Sequence, residues 1–310
     1  MQKVLLILAL LLQSLTAHSQ IKTDTSYTIK STYNKLIKKY PFITIPERRI
    51  NADVQQRFDL VYNTDQGRIL YFDAFINIKK KSNPAVIMIH GGGWRSGNKN
   101  QMHLMAQEIA AKGYSCFAVE YRLSLEAKYP KGIIDVKNAI KFIKDNARKF
   151  NVDPDKIAVL GCSSGGQMAA LIGTTNKNPN FEDAFFKSKS SSKVNAIIDI
   201  DGVLAFRHPE SSEGEMASFW LGGSYDEKPE NWKNASALSH TDKNTPPTLY
   251  ICSSIDRFHA GRNDMIAILN KNKIYSEVRT IEDSTHSFWF FEPWFSKTVV
   301  YTTQFLDTIF

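Results

Sequence analysis

Short apolar runs alternate with polar or glycine-containing segments along most of the chain. The runs are rich in valine and isoleucine and too short for helices, so they predict strands buried on both faces of a parallel sheet. A sixth, more polar segment near the end of the chain has the same place in the alternation and is also predicted as a strand. These strands occupy residues 85–89, 114–121, 157–160, 194–200, 248–252 and 276–281.

Between the strands, apolar residues recur every three or four positions, which predicts amphipathic helices. In the longest of these helices, Ile133, Val136, Ile140 and Ile143 fall on one face. Strands that alternate with helices indicate an α/β fold with a mostly parallel central sheet and helices on both of its faces. The predicted helices lie at residues 32–39, 102–112, 132–150, 167–173, 259–272 and 293–310.

Two further segments, residues 58–62 and 69–78, have strand character and are separated by a turn sequence, Thr64-Asp65-Gln66-Gly67. Glycine in such a short connection favours a hairpin. The sequence therefore predicts an antiparallel N-terminal hairpin at one edge of the sheet.

The ends of the chain and one long insertion complete the predicted organisation. Residues 1–19 combine Lys3, an apolar run and small residues at a cleavage position, which is typical of a signal peptide and too short to span a bilayer. We expect a secreted or periplasmic protein without stable membrane insertion. Residues 20–50 are interpreted as an N-terminal arm and residues 51–310 as one α/β domain. Within that domain, residues 202–247 lack periodicity and are predicted to form a lid-like insertion.

Charge and cysteine content narrow the class further. The net charge of +8 is spread over separate lysine runs and accompanies no nucleic-acid-binding motif, so it indicates a solvated surface rather than a nucleic-acid partner. The three cysteines lie in or beside predicted strands and are expected to be buried thiols. No spacing of cysteine and histidine resembles a metal site, and we expect no metal and no cofactor.

The sequence Gly161-Cys162-Ser163-Ser164-Gly165 lies between a predicted strand and a predicted helix. This pattern matches the nucleophile elbow, a strained turn that presents a serine hydroxyl above the end of a sheet. The flanking glycines are needed because a side chain there collides with the strand or the helix. Ser163 is therefore the predicted nucleophile.

A serine nucleophile requires a base and a group that orients the base. His286 follows the last predicted strand, at the edge of the sheet where reactive groups gather, and is the predicted base. Asp256 follows the strand at 248–252 and is our first choice for the acid. Asp201, at the tip of the preceding strand, is its main rival, and Asp264 and Asp283 are weaker alternatives.

The glycine-rich segment after the strand at 85–89 predicts an oxyanion-binding loop, because backbone N–H groups aimed at an empty position stabilise developing negative charge. We assign this role to the N–H groups of Gly92, Gly93 and Ser164, with the N–H of Trp94 as a possible substitute for one of the glycines. His90 is expected to brace the loop by hydrogen bonding.

Taken together, His90-Gly91-Gly92-Gly93-Trp94, the serine elbow and the late aspartate and histidine resemble the α/β-hydrolase superfamily. Within it, the chain is similar to the esterase and lipase group with an HGGG loop, especially secreted BD-FAE-like carbohydrate esterases that remove acetyl or feruloyl groups. The sequence around the base, residues 283–287, departs from the usual pattern of that group.

This resemblance implies a cofactor-independent serine esterase whose partner is an acylated polysaccharide or oligosaccharide. Acetyl removal from xylan or pectin is the expected activity. Feruloyl esterase and short-chain carboxylesterase activities are the alternatives, followed by a serine peptidase or an inactive binding module.

Three side chains are candidates for substrate contact: Trp94, Trp289 and Arg262. Trp289 belongs to an aromatic segment, residues 288–295, that suits either a sugar-binding wall or a core seal. Arg257 and Arg262 are candidates for pairing with a uronic acid carboxylate or for structural ion pairs.

Overall fold

The computed structural model describes residues 24–310, and the predicted signal peptide at 1–19 lies outside the described residues. An eight-stranded sheet forms the centre of the molecule, in the order β1-β2-β4-β3-β5-β6-β7-β8. The strands are β1 (Val54–Asp65), β2 (Arg68–Asn77), β3 (Asn83–Ile89), β4 (Ser115–Val119), β5 (Val152–Cys162), β6 (Ala196–Ile200), β7 (Thr248–Cys252) and β8 (Ser276–Thr280).

The pairing confirms the predicted sheet. Strands β4, β3, β5, β6, β7 and β8 are parallel neighbours, whereas β1 pairs with β2, and β2 with β4, in antiparallel orientation. Gln66 and Gly67 connect β1 to β2 with positive φ angles of 49° and 84°. Two consecutive positive φ angles match the right-handed twist of a hairpin, which explains the glycine in this turn.

Helices cover both faces of the sheet. Successive residues of a strand point to opposite faces, and the central strands are apolar at nearly every position, so each face supplies a core. The α3 and α4 side chains pack in one core and the α2 and α8 side chains in the other. The helices are α1 (Ile29–Leu36), α2 (His103–Ala111), α3 (Lys131–Asp145), α4 (Ser164–Thr174), α5 (Glu215–Leu221), α6 (Pro229–Asn234), α7 (Arg262–Lys271) and α8 (Trp294–Ile309).

Two helix boundaries differ from the prediction, and the first of them lies at the site. Helix α4 begins at Ser164, directly after the elbow, and not near residue 167. The predicted helix at 132–150 ends at Asp145, and a separate 3₁₀ turn, Ala147–Phe150, leads to Asn151 in the left-handed region. Cys116, Cys162 and Cys252 are buried free thiols, as predicted.

The segment between β6 and β7 packs onto the carboxyl end of the sheet. It contains α5 and α6, and its Trp220 and Trp232 side chains are buried in the same core as α4. Phe206 packs against both indoles, at ring-centroid distances of 6.4 and 5.7 Å. The insertion is therefore fixed by an aromatic cluster above the elbow.

The N-terminal arm crosses the same end of the molecule. Asp24 bridges to Ser96 and Thr44 bridges to Glu292, so the arm is fastened at both ends. Between these points lies α1, which begins with a reciprocal capping box at Thr28. No helix within residues 24–310 is long and apolar enough to cross a bilayer.

Candidate active site

Ser163 occupies the turn between β5 and α4. Its φ and ψ angles are 56° and −123°, and its N–H donates to the Ile200 carbonyl at 2.8 Å. A Cβ on Gly161 would lie 1.9 Å from the Gly165 oxygen, and one on Gly165 would lie 2.3 Å from the Ile89 oxygen. The glycines thus allow three backbone segments to meet, and the strained serine is held on top of them.

Replacement of Gly161 by alanine is expected to destabilise the fold, because the new methyl group meets rigid backbone that has no room to move. We expect a loss of at least about 2 kcal/mol in the free energy of unfolding, measured by urea denaturation. Gly214→Ala is the matched control, since a Cβ on Gly214 meets no atom within 4 Å. A control that loses as much stability as Gly161→Ala would contradict the argument.

His286 lies between β8 and α8, as predicted, and its Nε2 is 2.8 Å from the Ser163 Oγ. Phe258 stacks on the imidazole with a centroid distance of 3.3 Å and an interplanar angle of 9°. Trp289 meets the same ring edge-on at 5.2 Å. Two aromatic side chains therefore fix the orientation of the imidazole toward the serine.

The carboxylate beside His286 is that of Asp201, and the first choice of Asp256 was wrong. Asp201 directly follows β6, is buried, and places Oδ2 at 2.7 Å from the Nδ1 of His286. The Ser253 N–H and hydroxyl donate to its two oxygens at 2.8 and 2.7 Å. A carboxylate that accepts a hydrogen bond from Nδ1–H leaves Nε2 free to accept the serine proton.

The path of the chain after β7 explains why Asp256 is not the partner of His286. After Ser253, which holds Asp201, the chain turns outward, and Asp256 begins an exposed 3₁₀ turn on the surface. Neither of the two weaker alternatives forms an ion pair with the imidazole: Asp264 pairs with the Nε2 of His208 at 2.9 Å, and Asp283 is exposed.

A second carboxyl group, Asp199, is buried two residues before Asp201. Burial raises its pKa well above the usual value, and the neighbouring Asp201 charge raises it further. One of its oxygens accepts the Gly202 N–H at 3.0 Å. Burial thus disfavours a second negative charge beside Asp201 beneath the site.

The glycine loop lies against the serine turn, since a Cβ on Gly91 would lie 3.1 Å from the Ser163 Cβ. Gly92 and Gly93 have φ angles of 129° and 61°, and the Gly92 carbonyl accepts the N–H groups of Arg95 and Ser96, which closes a tight turn. Within residues 24–310, the N–H groups of Gly93 and Ser164 have no hydrogen-bond acceptor. Both residues line the same cavity as Ser163.

His90 braces this loop from behind. Its Nδ1 lies 2.9 Å from the Gly91 carbonyl, to which it donates, and its ring stacks on Tyr121 at 4.6 Å. The Tyr121 hydroxyl in turn donates to the His90 carbonyl at 2.9 Å. Burial lowers the pKa of His90 from 6.5 to about 4, so the imidazole is neutral at pH 7.

This burial predicts a pH dependence of stability. Between pH 6.5 and about 4 the unfolded chain protonates His90 and the folded chain does not, so stability falls as the pH drops through this window. The contribution of His90 is on the order of 3 kcal/mol. Urea denaturation at several pH values should show a shallower fall for His90→Gln than for the wild type. Equal pH slopes for the two proteins would refute a neutral buried His90.

Two cavities open on either side of Ser163. The smaller has a volume of about 400 Å³, lies under the insertion, and is lined largely by apolar side chains that include Trp94, Phe206 and Met216. The larger, of about 740 Å³, is bounded by the N-terminal arm and by His286. Because Ser163 lines both cavities, a ligand can extend from its hydroxyl group into either of them.

One of the three predicted substrate contacts has the expected position. Trp94 lines the smaller cavity, held by an Nε1 hydrogen bond of 2.9 Å to Gln167 and by a parallel stack on Trp220 at 4.7 Å. The other two predictions were wrong. Trp289 is buried behind His286, and the Nη1 of Arg262 points to the Cys252 Sγ at 3.3 Å; neither residue lines a cavity at the serine.

Three features of the site were missed by the sequence analysis: Ser253 beneath Asp201, Phe258 on the imidazole, and the arm as a cavity wall. Phe258 lies within the 3₁₀ turn that Asp256 begins, and no periodic pattern marks it. The arm had a weak signal, since α1 has one polar and one apolar face.

The sheet order, the strained elbow and the placement of Ser163, His286 and Asp201 at the carboxyl ends of the strands define an α/β-hydrolase. The chain belongs to the BD-FAE family, whose model matches residues 72–260.

Known proteins with similar sequences include esterases. The chain is 28% identical to "Esterase LipC" of Mycobacterium tuberculosis over 73% of its own length and 55% of the relative. It is 30% identical to "Probable carboxylic ester hydrolase LipM" of the same organism, over 59% of its own length and 42% of the relative. The chain thus spans about half the length of these curated relatives.

Solved structures with the same fold include a "Truncated form of carbohydrate esterase from gut microbiota". The match has a TM-score of 0.72 and 21% identity, and covers 84% of this chain and 100% of that one. The apo form of Thermogutta terrifontis esterase 2 matches with a TM-score of 0.68 and 22% identity, over 85% of this chain and 96% of the other.

Proposed function

We propose that this protein is a serine esterase that removes acyl groups, acetyl first among them, from carbohydrate. The observation that carries the proposal is the hydrogen-bonded chain from the Ser163 Oγ to His286 Nε2 at 2.8 Å and from His286 Nδ1 to Asp201 at 2.7 Å. Membership of the BD-FAE family and the carbohydrate esterase among its structural neighbours support a carbohydrate ester as substrate.

In the first step, His286 accepts the Ser163 proton as the serine oxygen attacks the ester carbonyl carbon. The negative charge that develops on the carbonyl oxygen is stabilised by the N–H groups of Gly93 and Ser164, with Gly92 beside them. The imidazolium, stabilised by Asp201, then gives its proton to the departing alcohol oxygen, and an acyl-serine remains.

In the second step, a water molecule gives a proton to His286 and attacks the acyl-serine. Collapse of the second tetrahedral intermediate returns the proton to the serine oxygen and releases the carboxylic acid. In each of the two steps, the Nε2 of His286 donates a proton to an oxygen, first to the leaving alcohol and then to Ser163. The imidazole ring therefore needs the fixed orientation that Phe258 gives it.

The proton transfers also indicate which half of the ester occupies each cavity. The leaving alcohol oxygen has to lie within hydrogen-bond reach of His286, and His286 lines only the larger of the two cavities described above. The alcohol half of the ester therefore occupies the larger cavity, and the acyl half occupies the smaller one beneath the insertion.

The dimensions of the smaller cavity favour a second candidate, an aromatic acyl group such as feruloyl. Its volume of about 400 Å³ lies within the range of sites that hold drug-sized ligands, and Trp94, Phe206 and Phe258 line it. An acetyl group leaves most of that space unfilled, whereas a planar ring packs against aromatic walls.

Acid release from three polymers tests the proposal and separates the two candidates. The protein is mixed with acetylated xylan, acetylated pectin or feruloylated arabinoxylan, with the Ser163→Ala variant as the blank. We expect acetate from at least one of the first two. Release of ferulate alone would replace acetyl by the aromatic candidate, and no acid from any polymer would overturn carbohydrate as the substrate.

A polymeric substrate lies outside the cell, in agreement with the proposed export of the protein. Sequencing of the mature N-terminus after expression with residues 1–19 in place would test export directly. We expect Gln20 as the first residue, and retention of Met1 would contradict it.

A further inference from the structure

The larger cavity has an uneven charge. Two basic side chains, Lys35 of α1 and Arg257 of the turn after β7, line it together with His286, and no aspartate or glutamate of residues 24–310 does so. The N-terminal arm supplies Lys35 and the catalytic end of the sheet supplies Arg257. Two separate parts of the chain therefore each contribute a cation to the same cavity.

Both cations are available to a ligand. Lys35 and Arg257 are exposed, and neither forms an ion pair with another residue in the range 24–310. Like charges that line one cavity repel each other, and a ligand of opposite charge offsets that repulsion. Two unpaired cations at one cavity indicate that the opposite charge arrives with the ligand.

Arg257 contacts the aromatic ring that also contacts the base. Its guanidinium carbon lies 4.3 Å from the centroid of the Phe258 ring, and the Phe258 ring stacks on His286. A guanidinium over an aromatic ring keeps its N–H donors at its edge, where a carboxylate binds them in bidentate geometry.

Contacts of the arm position helix α1, which carries Lys35. The Gln101 side chain donates to the Tyr27 carbonyl at 2.8 Å, and the Tyr27 hydroxyl lies 3.3 Å from the Ser287 Oγ, next to His286. Helix α1 follows Tyr27 after its capping box. The arm is thereby anchored to the same loop that carries the base, which sets the position of Lys35 relative to the serine.

The smaller cavity has the opposite bias. Glu213, Glu215 and Asp201 line it, with Arg257 at the boundary between the two cavities. An acyl group with its own negative charge is disfavoured there, and an alcohol with a negative charge is favoured on the other side. The charges thus select esters in which the anion is on the alcohol half.

From this distribution we propose that the protein prefers acylated uronates, in which the sugar that carries the ester also carries a carboxylate, and that Lys35 and Arg257 bind this carboxylate. This inference rests on the proposed esterase function and on the assignment of the alcohol half to the larger cavity. Lys35 and Arg257 select among substrates, and they take no part in the making or breaking of bonds.

The test uses two substrates with the same acetylated backbone: O-acetylated oligogalacturonate with free carboxylates, and the same oligomer after methyl esterification of its carboxyl groups. We expect kcat/KM for acetate release to be about tenfold higher for the charged oligomer in the wild-type protein at low salt. Lys35→Gln and Arg257→Gln are each expected to reduce this ratio about threefold, and the double variant to bring it close to one.

Lys38→Gln is the matched control, because Lys38 is an exposed lysine of the same arm that does not line the cavity. It should keep the wild-type ratio. Raising the ionic strength should reduce the wild-type ratio as well, since exposed charge pairs are screened. An equal loss in Lys38→Gln would reduce the effect to net charge and overturn the assignment of Lys35.

The results that would contradict the uronate preference differ from the result that would contradict the esterase function. If the wild type releases acetate from both oligomers at equal rates, and Ser163→Ala does not, the esterase function stands and the preference for uronates is refuted. If the wild type hydrolyses neither the oligomers nor a neutral aryl acetate, the proposed function itself fails. If a sulfated acetylated oligosaccharide is turned over faster than the uronate, the carboxylate is the wrong anion.

Discussion

Replacement of Ser163 by alanine should abolish ester hydrolysis and leave the fold intact. We expect kcat for a neutral aryl acetate to fall by about 100,000-fold or more, as for other serine hydrolases that lose the nucleophile. The residual rate comes from the oxyanion-binding groups, which still bind the carbonyl oxygen while only water is left to attack it. Steady-state assays with freshly purified protein measure this change.

Two controls separate loss of chemistry from loss of structure. Alanine has the same backbone restrictions as serine at a φ of 56°, so the thermal unfolding midpoint should match that of the wild type. A fluorophosphonate probe should add one covalent group per wild-type chain and none to Ser163→Ala, as seen by intact-mass spectrometry. Full activity in the variant, or labelling of another serine, would remove Ser163 from the mechanism.

The second large effect is expected at Asp201. Asparagine at this position has the shape of aspartate without its charge, so it neither stabilises the imidazolium nor enforces the proton on the Nδ1 of His286. We expect kcat/KM for the neutral ester to fall about 10,000-fold, with most of the loss in kcat.

Asp256→Asn is the matched variant, because it makes the same chemical change on an exposed residue that lies in the next turn along the sheet edge. It should retain activity within about twofold, as surface substitutions usually do. Comparable losses in the two variants, or a greater loss in Asp256→Asn, would contradict the assignment of Asp201.

The contrast between these two aspartates shows what the sequence was able to predict. The elbow and the glycine loop have local signals, since small residues at fixed positions are required wherever backbone segments meet. His286 was found because it follows the last strand. Asp201 and Asp256 both follow predicted strands, and the choice between them depends on how the chain turns after β7, which short-range patterns do not encode.

The direction of individual side chains was a second property that could not be predicted from the sequence. Trp289 and Arg262 were placed near the site correctly, but the tryptophan is directed into the core behind the imidazole and the arginine toward Cys252. Residues 20–50 were predicted to be an arm that lies on the domain, but nothing in their composition indicated that the arm lines a cavity at the elbow. Its contacts are with residues more than seventy positions away, and such long-range pairing requires the fold.

The separation of the two cavities has a consequence for the life of the acyl-serine. In the proposed mechanism, the larger cavity, bounded by the arm and His286, is vacated when the alcohol departs, while the acyl chain stays under the insertion. Incoming solvent then reaches the bond from the side of the base, where its proton can be taken up. The insertion thus shelters the intermediate without blocking its hydrolysis.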